Sequence, residues 1–325
     1  MTIRNVILDV DTGSDDAIAI MLALLSPEIR VQAICTSWGN VDLKDTTANT
    51  LNLVARMGKE VPVYRGVSAP LVKWQYESRN TRADIGAVIG GKKVPMHSRR
   101  LDLPESGKKP EEMPAVFYYR QALSGSREPV HIVTTGPLTG LACALSLWPE
   151  LKENIGSLTI MGGGHRVYNN HYAEGNFWHD PEAARIVLDA GLMPTLVPLD
   201  ATHRAIITRE EIGLLRAQGN FCSRFAAGLL EQRMQVHTEN QPLYLPDSAT
   251  LHDAVAVAAF LDPEILSDVR EVSLDIGLSG SAEGHCSFDR RESEKTPNCR
   301  FAFSADRERF IGRLIDTFSR ARDIG

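Results

Sequence analysis

Short apolar runs alternate with polar turns along much of the chain. Residues 6–8 form a β-branched apolar run that ends in a polar turn, and every residue from 17 to 25 is apolar. A short strand followed by an all-apolar helix predicts a βα unit that is covered on both sides. The same pattern predicts further strands at 31–36, 61–64, 131–135, 158–161 and 195–199. It also predicts helices at 46–57 and from the turn at 136–137 through 147.

Strands that alternate with helices predict an α/β fold. We expect an open, doubly wound, mostly parallel sheet with helices on both faces. The 325 residues would also suit two domains of about 150 residues each. Because no linker or repeat divides the chain, we expect a single domain over 1–325, with loop insertions at about 75–113, 165–180 and 221–250.

Composition narrows the class of protein. Hydrophobic residues make up 43% of the chain, charged residues 23%, and the formal net charge is −6. These values are typical of a soluble globular protein, and the acidic excess argues against nucleic acid and anionic membrane as partners. The chain lacks the ~18 consecutive apolar residues of a membrane span. Its five cysteines are scattered without a Cys-x-x-Cys pair, which predicts reduced thiols and a cytoplasmic location.

Four carboxylates, Asp9, Asp11, Asp15 and Asp16, lie between the first predicted strand and the first predicted helix. A helix N-cap would explain one or two of them. Four acids at the carboxyl end of a strand instead indicate a ligand site, because open α/β sheets bind ligands at that edge. Carboxylates this close repel one another, and their oxygens suit a hard cation such as Ca²⁺ or Mg²⁺. The spacing therefore predicts a divalent metal site.

Two enzyme classes place Asp-x-Asp after a strand. Aspartyl-phosphate enzymes of the haloacid-dehalogenase type carry a threonine two residues after the second aspartate, where this chain has Gly13. They also lack an Asp-Asp pair at the start of the next helix. Residues 9–17, Asp-Val-Asp-Thr-Gly-Ser-Asp-Asp-Ala, instead resemble the signature of the inosine-uridine nucleoside hydrolase family.

Further segments are similar to elements of that family and follow in the family's order. They are the strand and turn at 131–139, Met-Gly-Gly-Gly at 161–164, Glu-Gly-Asn at 174–176, Asp-Pro-Glu-Ala-Ala at 180–184 and Leu-His-Asp at 251–253. The resemblance implies hydrolysis of the N-glycosidic bond of a ribonucleoside through an oxocarbenium-like transition state, with release of ribose and a free nucleobase.

The resemblance also implies a metal site and a general base. Ca²⁺ would be bound by Asp11, Asp16, the backbone carbonyl of Thr135 and Asp253. Asp11 would act as the general base, because it would touch both the metal ion and the attacking water. Asp9 would support these ligands from behind.

By the same resemblance, a second group of residues would contact the substrate. The expected ribose contacts are Asp15, Asn40, Met161, Asn170 or Asn169, Glu174 and Asn176. His252 would protonate the departing base, since histidine titrates near working pH. The alternative is that His252 only orients Asp253.

The chain departs from the family pattern at positions next to the expected site residues. Residues 75–113 contain no His-Gly pair, since His97 is followed by Ser98. Gly140 and Gly175 replace an asparagine and a phenylalanine that the family usually carries. These changes leave base preference open, and the residues that would reach a nucleobase are Phe225, Leu229, Arg233, Tyr244, Trp178 or Tyr172.

Two other functions remain open at this stage. The altered loops are compatible with a non-catalytic protein that binds Ca²⁺ and a ribosyl ligand, and Asp-x-Asp with an aspartyl-phosphate phosphatase. The expected partner is a small nucleoside, in purine or pyrimidine salvage. We expect a homodimer or homotetramer, as is common in the family.

Overall fold

The computed structural model describes residues 3–79, 86–126, 128–288 and 296–322. Its strands are β1 Arg4–Val10, β2 Ile29–Thr36, β3 Val63–Arg65, β4 Gly86–Ile89, β5 Lys92–Pro95, β6 Val130–Thr134, β7 Ile155–Met161, β8 Thr195–Val197, β9 Ile207–Thr208, β10 Ser248–Ala249, β11 Leu266–Val272, β12 Leu274–Ile276, β13 Cys286–Phe288 and β14 Cys299–Ala305. Its helices are α1 Ser14–Leu25, α2 Leu43–Arg56, α3 Ala115–Ser124, α4 Thr139–Leu147, α5 Gly175–His179, α6 Pro181–Asp189, α7 Leu199–Thr202, α8 Arg209–Ala217, α9 Phe221–Asn240, α10 His252–Leu261 and α11 Arg307–Phe318.

The central sheet has eight strands in the order β11-β14-β8-β7-β6-β1-β2-β3. All neighbours pair in parallel except β11, which runs antiparallel to β14. The predicted α/β fold with a mostly parallel sheet is confirmed. The chain moves outward from β1 to β3 and then continues from β6 to β8 on the other side. The strand order therefore reverses between β1 and β6, where such sheets bind ligands.

Each face of the sheet carries its own apolar core. Val6, Leu8 and Val10 of β1 pack on one face with α1 and α10, while Ile7 packs on the other with α3, α4 and α6. Helix α1 is apolar around most of its circumference because it lies between the sheet and helices α9, α10 and α11. Among the described residues, no helix combines the length and apolar composition that crossing a bilayer needs.

The three predicted insertions contain regular structure. Residues 75–113 include the β4–β5 hairpin, and 165–180 include α5. Most of 221–250, expected as a loop insertion, is the 20-residue helix α9. Its buried stripe includes Arg233 and His237 among apolar side chains. These polar residues interrupt the periodic pattern from which a buried helix is recognised in sequence.

The β4–β5 hairpin is attached to α9. The Asn240 side chain donates to the Gly86 carbonyl at 3.0 Å, and the Gln232 side chain donates to the Pro95 carbonyl at 2.9 Å. Ala87 and Met96 pack with Val236 in a small apolar cluster. The hairpin therefore forms a fixed wall above the carboxyl edge of the sheet.

Asp180 joins three separate segments. Its buried carboxylate accepts hydrogen bonds from Leu71 N at 2.9 Å, Thr139 Oγ1 at 2.7 Å and Ala183 N at 3.0 Å. It thereby caps α6 and ties the segment after β3 to α4. Removing it would leave these donors without an acceptor in a buried position.

We expect Asp180→Ala to lower the free energy of unfolding by about 3 kcal/mol, because three hydrogen bonds to a buried carboxylate are lost. Urea unfolding followed by circular dichroism measures the change. Thr139→Val removes one of these donors and should cost about 1 kcal/mol. An Asp180→Ala protein as stable as wild type would contradict the assignment.

Candidate active site

A cleft opens at the carboxyl ends of β1, β2, β6 and β7. It is lined by Asp15, Gly39, Asn40, Pro95, His97, Thr135, Met161, Asn169, Asn170, Glu174, Gly175, Asn176, His179, His252 and Asp253. All six expected ribose contacts are among these residues, and so are Thr135, His252 and Asp253. Asp11 and Asp16 are fully buried directly behind this lining. The tertiary structure thus brings together segments separated by more than 200 positions.

Asp11 is fixed by Asn40. Its Oδ2 accepts from the Asn40 backbone N–H at 2.7 Å, and its Oδ1 accepts from Asn40 Nδ2 at 3.2 Å. Asn40 Nδ2 also lies 3.0 Å from Asp16 Oδ2, so one amide joins two carboxylates. The turn after β2 comes this close because Gly39 has no side chain: a Cβ there would overlap Asp11 Oδ2. Asn40 therefore orients the carboxylates of Asp11 and Asp16, and it also lines the cleft.

Asp16 connects the start of α1 to the end of β6. Its Oδ2 accepts from Gly13 N at 2.9 Å, and its Oδ1 accepts from Thr135 Oγ1 at 2.8 Å. The first bond satisfies a backbone N–H at the helix N-terminus, where negative charge is favoured. Thr135 N in turn donates to the carbonyl of Asp9 at 2.8 Å. Neighbouring strand ends are therefore locked together around this carboxylate.

Burial makes the acidic group electrostatically unfavourable. Burial first, and then the negative charge of Asp16, raises the pKa of Asp11 well above its usual range. Burial and neighbouring Asp15 raise the pKa of Asp16 to about 6. The pKa of Asp253 is raised well above its usual range by burial and by Asp15, Asp16 and Asp11. A cation among these groups would relieve the repulsion.

The donor set fits a divalent metal ion. One oxygen each of Asp15, Asp16 and Asp253 lies within 4.8 Å of the others. Asp15 Oδ1 is buried and lies 3.1 Å from Arg233 Nη1 and 3.7 Å from His97 Nδ1. All the ligand atoms are oxygens, which suits a hard cation. The predicted set has Asp11 in place of Asp15, whereas the group of mutually close oxygens contains Asp15 and not Asp11.

Glu174 and Asn176 form the opposite wall. Glu174 caps α5, because its carboxylate accepts from Gly163 N at 2.9 Å, Asn176 N at 2.7 Å and Phe177 N at 3.1 Å. Burial nevertheless raises its pKa to about 7, with the hydrogen bonds acting in the opposite direction. Asn176 Nδ2 donates to the carbonyls of Thr135 at 2.8 Å and Met161 at 3.2 Å. The carbonyl of Thr135 expected to bind metal thus already accepts one hydrogen bond and keeps a second lone pair.

His252 begins α10 and borders the cleft. Its Nδ1 lies 2.7 Å from Thr202 Oγ1, and its ring stacks on His203 with centroids 5.4 Å apart. Burial, followed by His203 and Arg233, lowers the pKa of His252 well below its usual range. The imidazole is therefore neutral in this environment.

Asp9 lies below the cleft and does not border it. Its Oδ2 accepts from Tyr119 Oη at 2.6 Å, and burial raises its pKa to about 7 against the effect of that bond. Asp9 contacts the predicted metal site through its backbone carbonyl, which accepts a hydrogen bond from Thr135 N. An aspartyl-phosphate enzyme needs an accessible carboxylate here as nucleophile, and a buried Asp9 is unsuited to that task.

His97 is a cleft residue to which the sequence assigned no role. Its Nδ1 lies 3.3 Å from Ser14 N and 3.7 Å from Asp15 Oδ1. Burial is the largest influence on its pKa, which is lowered to about 4. A backbone N–H can only donate, so Nδ1 accepts and the neutral ring carries its proton on Nε2. No local pattern marks this histidine, since the hairpin and α9 place it.

The residues expected to reach a nucleobase are dispersed. Arg233 is buried beneath the cleft, and Phe225 and Leu229 pack against the apolar core beside α1. Tyr244 is 53% exposed and borders a different cavity, with Arg166 and Arg204. Tyr172 is exposed, and Trp178 packs against Lys73. The residues that border the cleft include Pro95, His97, Asn169 and Asn170 instead.

Comparison with known proteins relates this arrangement to characterised enzymes. Residues 6–312 match the family described as inosine-uridine preferring nucleoside hydrolase. The chain is 34% identical over 320 residues to the pyrimidine-specific ribonucleoside hydrolase RihA of Photobacterium profundum, covering 96% of this chain and 98% of the relative. It is also similar to the solved structure of a purine-preferring ribonucleoside hydrolase from Gardnerella vaginalis, with a TM-score of 0.85, 29% identity and coverage of 97% and 98%. A plant nucleoside hydrolase, PpNRh1, has the same TM-score of 0.85 at 28% identity, with 97% and 99% coverage.

The raised pKa values predict how stability depends on pH in the absence of metal. Asp16 at about 6 and Asp9 and Glu174 at about 7 hold protons in the folded state that the unfolded chain releases near pH 4. Their contribution to stability is complete below about pH 4 and is lost as pH rises to about 7. Added Ca²⁺ should flatten this loss, because it favours the ionised carboxylates.

Urea unfolding at a series of pH values, with chelator and then with Ca²⁺, measures this dependence. Glu174→Gln removes one of the titrating groups and should reduce the slope in chelator. Four buried histidines, His97, His203, His237 and His252, have lowered pKa values and act in the opposite direction, so the test is the difference between the two proteins. A Glu174→Gln protein whose metal-free stability changes with pH as the wild type's does would contradict the prediction.

Proposed function

The chain belongs to the inosine-uridine preferring nucleoside hydrolase family, and on that premise we propose that it is a Ca²⁺-dependent hydrolase whose reaction takes place in this cleft. It is an N-glycosyl hydrolase that acts on ribonucleosides. One observation carries the proposal: the acids of the first motif, the amide and acid of the 174–176 segment, and His252 with Asp253 all converge on one cleft.

A divalent ion fits the acidic side of this cleft. The residues proposed to hold it are the carboxylates of Asp11, Asp16 and Asp253 and the backbone carbonyl of Thr135. We propose Ca²⁺ because it accepts many oxygen ligands in a flexible arrangement, whereas Mg²⁺ demands a near-ideal octahedron. When bound, such an ion supplies positive charge that lowers the pKa of a coordinated water.

Asp11 is the proposed general base. It lies out of bulk solvent, and its two bonds from Asn40 hold it in one orientation. A carboxylate held in one orientation beside the attacking water can accept its proton, which is what a general base requires. Asn40 thus holds the carboxylate of Asp11 in the orientation that a general base needs. The water that loses its proton to Asp11 attacks the anomeric carbon.

The remaining cleft residues would hold and polarise the sugar. Asp15, with Met161 and Asn176 across the cleft, would contact the ribose hydroxyls. Asn170 and Glu174 complete this wall, and a carboxylate near the ring would stabilise positive charge on the oxocarbenium-like transition state. Gly175 leaves room beside Asn169 and Asn170, so the cleft is wider here than it would be with phenylalanine.

His252 is the proposed donor to the departing base. Its ring is neutral, and a hydrogen bond donated by Thr202 Oγ1 to Nδ1 would leave the ring proton on Nε2. An Nε2–H directed at the base would offset negative charge on the leaving nitrogen heterocycle. His203 stacks behind the ring and limits its rotation.

The wider biology follows from the same premise. We propose a role in nucleoside salvage, in the cytoplasm, as a homodimer or homotetramer. The five scattered cysteines, with no Cys-x-x-Cys pair, support a reducing compartment. The relatives are described as pyrimidine-specific in one case and purine-preferring in another, so both base classes belong in any test.

We expect wild-type protein with Ca²⁺ to release ribose from at least one nucleoside in a panel of purine and pyrimidine ribonucleosides. Asp11→Asn should reduce kcat by about 10²–10⁴-fold, because an amide cannot accept the proton from water. A reducing-sugar assay measures ribose, and chromatography identifies the free base.

Asp102→Asn makes the same chemical change at an exposed site outside the cleft and should leave kcat at the wild-type value. Chelator should abolish turnover, and Ca²⁺ should restore it. Absence of ribose release from every nucleoside, or an Asp11→Asn protein with wild-type kcat, would refute the proposal.

The role of His252 predicts a dependence on the leaving group. His252→Gln should lower kcat for natural nucleosides by about 10²-fold or more. It should have little effect on a p-nitrophenyl riboside, whose leaving group departs without protonation. Equal losses on both substrates would show that His252 acts on the sugar or the metal site instead.

A further inference from the structure

Arg233 is one of the largest fully buried side chains in the structure. It lies on α9 with 1% of its surface exposed, beneath the cleft. Its Nε donates to the Thr250 carbonyl at 3.1 Å, its Nη2 to Thr250 Oγ1 at 3.0 Å, and its Nη1 to Ser14 Oγ at 2.9 Å. Its Nη1 also forms an ion pair with Asp15 Oδ1 at 3.1 Å. A charge this deeply buried requires a partner, and Asp15 is that partner.

These contacts place Arg233 between two parts of the acidic group. Ser14 and Asp15 begin α1, while Thr250 lies three residues before Asp253. The planar guanidinium has donors in a fixed fork, so both segments are held at defined positions. Arg233 therefore fixes Asp15 relative to the turn that delivers Asp253.

Asp15 is near enough to act as a metal ligand. Its carboxylate oxygen lies within 4.8 Å of oxygens of both Asp16 and Asp253. The adjacent Asp11 is held instead by Asn40. More carboxylates are present than one ion needs, so something other than proximity must determine which of them faces the sugar.

We propose that Arg233 reserves Asp15 for the substrate by pairing with it and withholding it from the metal ion. Arg233 is thus a positioning residue, and the inference rests on the proposed function of the cleft. Because arginine stays protonated in proteins, this pairing persists whether or not the metal is bound. Asp11, Asp16 and Asp253 are left as the carboxylates available to the ion.

The electrostatics of Asp15 agree with this assignment. Burial acts to raise the pKa of Asp15, but Arg233 and then His97 outweigh it, so the pKa is below its ordinary value. Its neighbours Asp11, Asp16 and Asp253 all have raised pKa values. Arg233 also acts on Asp253, but only for Asp15 among these four does the nearby positive charge outweigh burial, so Asp15 gains least from a metal ion.

The test replaces Arg233 with methionine, which is of similar length and uncharged. Released from its partner, Asp15 should join the metal ligands, so the Ca²⁺ dissociation constant should fall about five-fold or more. The KM for nucleoside and the inhibition constant of free ribose should rise about ten-fold or more, because the sugar loses a held carboxylate. Isothermal titration measures Ca²⁺ binding, and steady-state kinetics measures the other two constants.

Opposite changes in metal and sugar affinity separate this role from a structural one. A residue that only supports the fold would weaken both on removal, so weaker binding of Ca²⁺ and sugar together by Arg233→Met would overturn the proposal. Arg233→Lys keeps the charge and should retain wild-type Ca²⁺ affinity. His237→Asn disturbs Thr250 Oγ1 without reaching Asp15, and it should not produce the opposite changes.

A second variant tests whether Asp15 carries the effect. In an Asp15→Asn background, Arg233→Met should no longer tighten Ca²⁺ binding. Tightening that persists there would show that only the loss of a nearby positive charge matters, and would overturn the proposal. Ca²⁺ binding can be measured without turnover. If the wild type released no ribose, that result would count against the proposed function, and the Ca²⁺ affinities of the variants would still test the role of Arg233.

Discussion

Repulsion among buried carboxylates is the constraint on which the rest of this structure depends. Asp11, Asp16 and Asp253 lie out of solvent and close together, and burial and mutual charge raise their pKa values. The protein offsets part of this cost with donors aimed at these oxygens. Asn40 joins two of the acids, and Thr135 adds a hydroxyl donor to Asp16. What remains uncompensated is the charge that a divalent ion would balance.

The sheet topology makes such a concentration of donors and acids possible. Because the strand order reverses between β1 and β6, the loops after these strands diverge and leave an open edge. The turn after β2 approaches Asp11 only because Gly39 presents bare backbone. Two apolar cores, one on each face, hold the strand ends rigidly enough for these short contacts to persist.

Distant segments close the site around that edge. The β4–β5 hairpin brings His97 beside Ser14 because α9 supports it from behind. Asp180 ties Leu71, in the segment after β3, to α4 and α6. The walls of the cleft are therefore braced by hydrogen bonds between residues far apart in sequence, and substitutions outside the cleft would shift the residues that line it.

The sequence by itself determined the parallel α/β sheet and the residues of the acidic group. It could do so because strand and helix periodicity, and the dense run from Asp9 to Asp16, are local properties of the chain. Only the tertiary structure decided that Arg233 on α9 is buried, that His97 borders the cleft and that Asp9 faces Tyr119. Each of these depends on a partner contributed by a distant segment, and pairings of that kind leave no periodic trace along the chain.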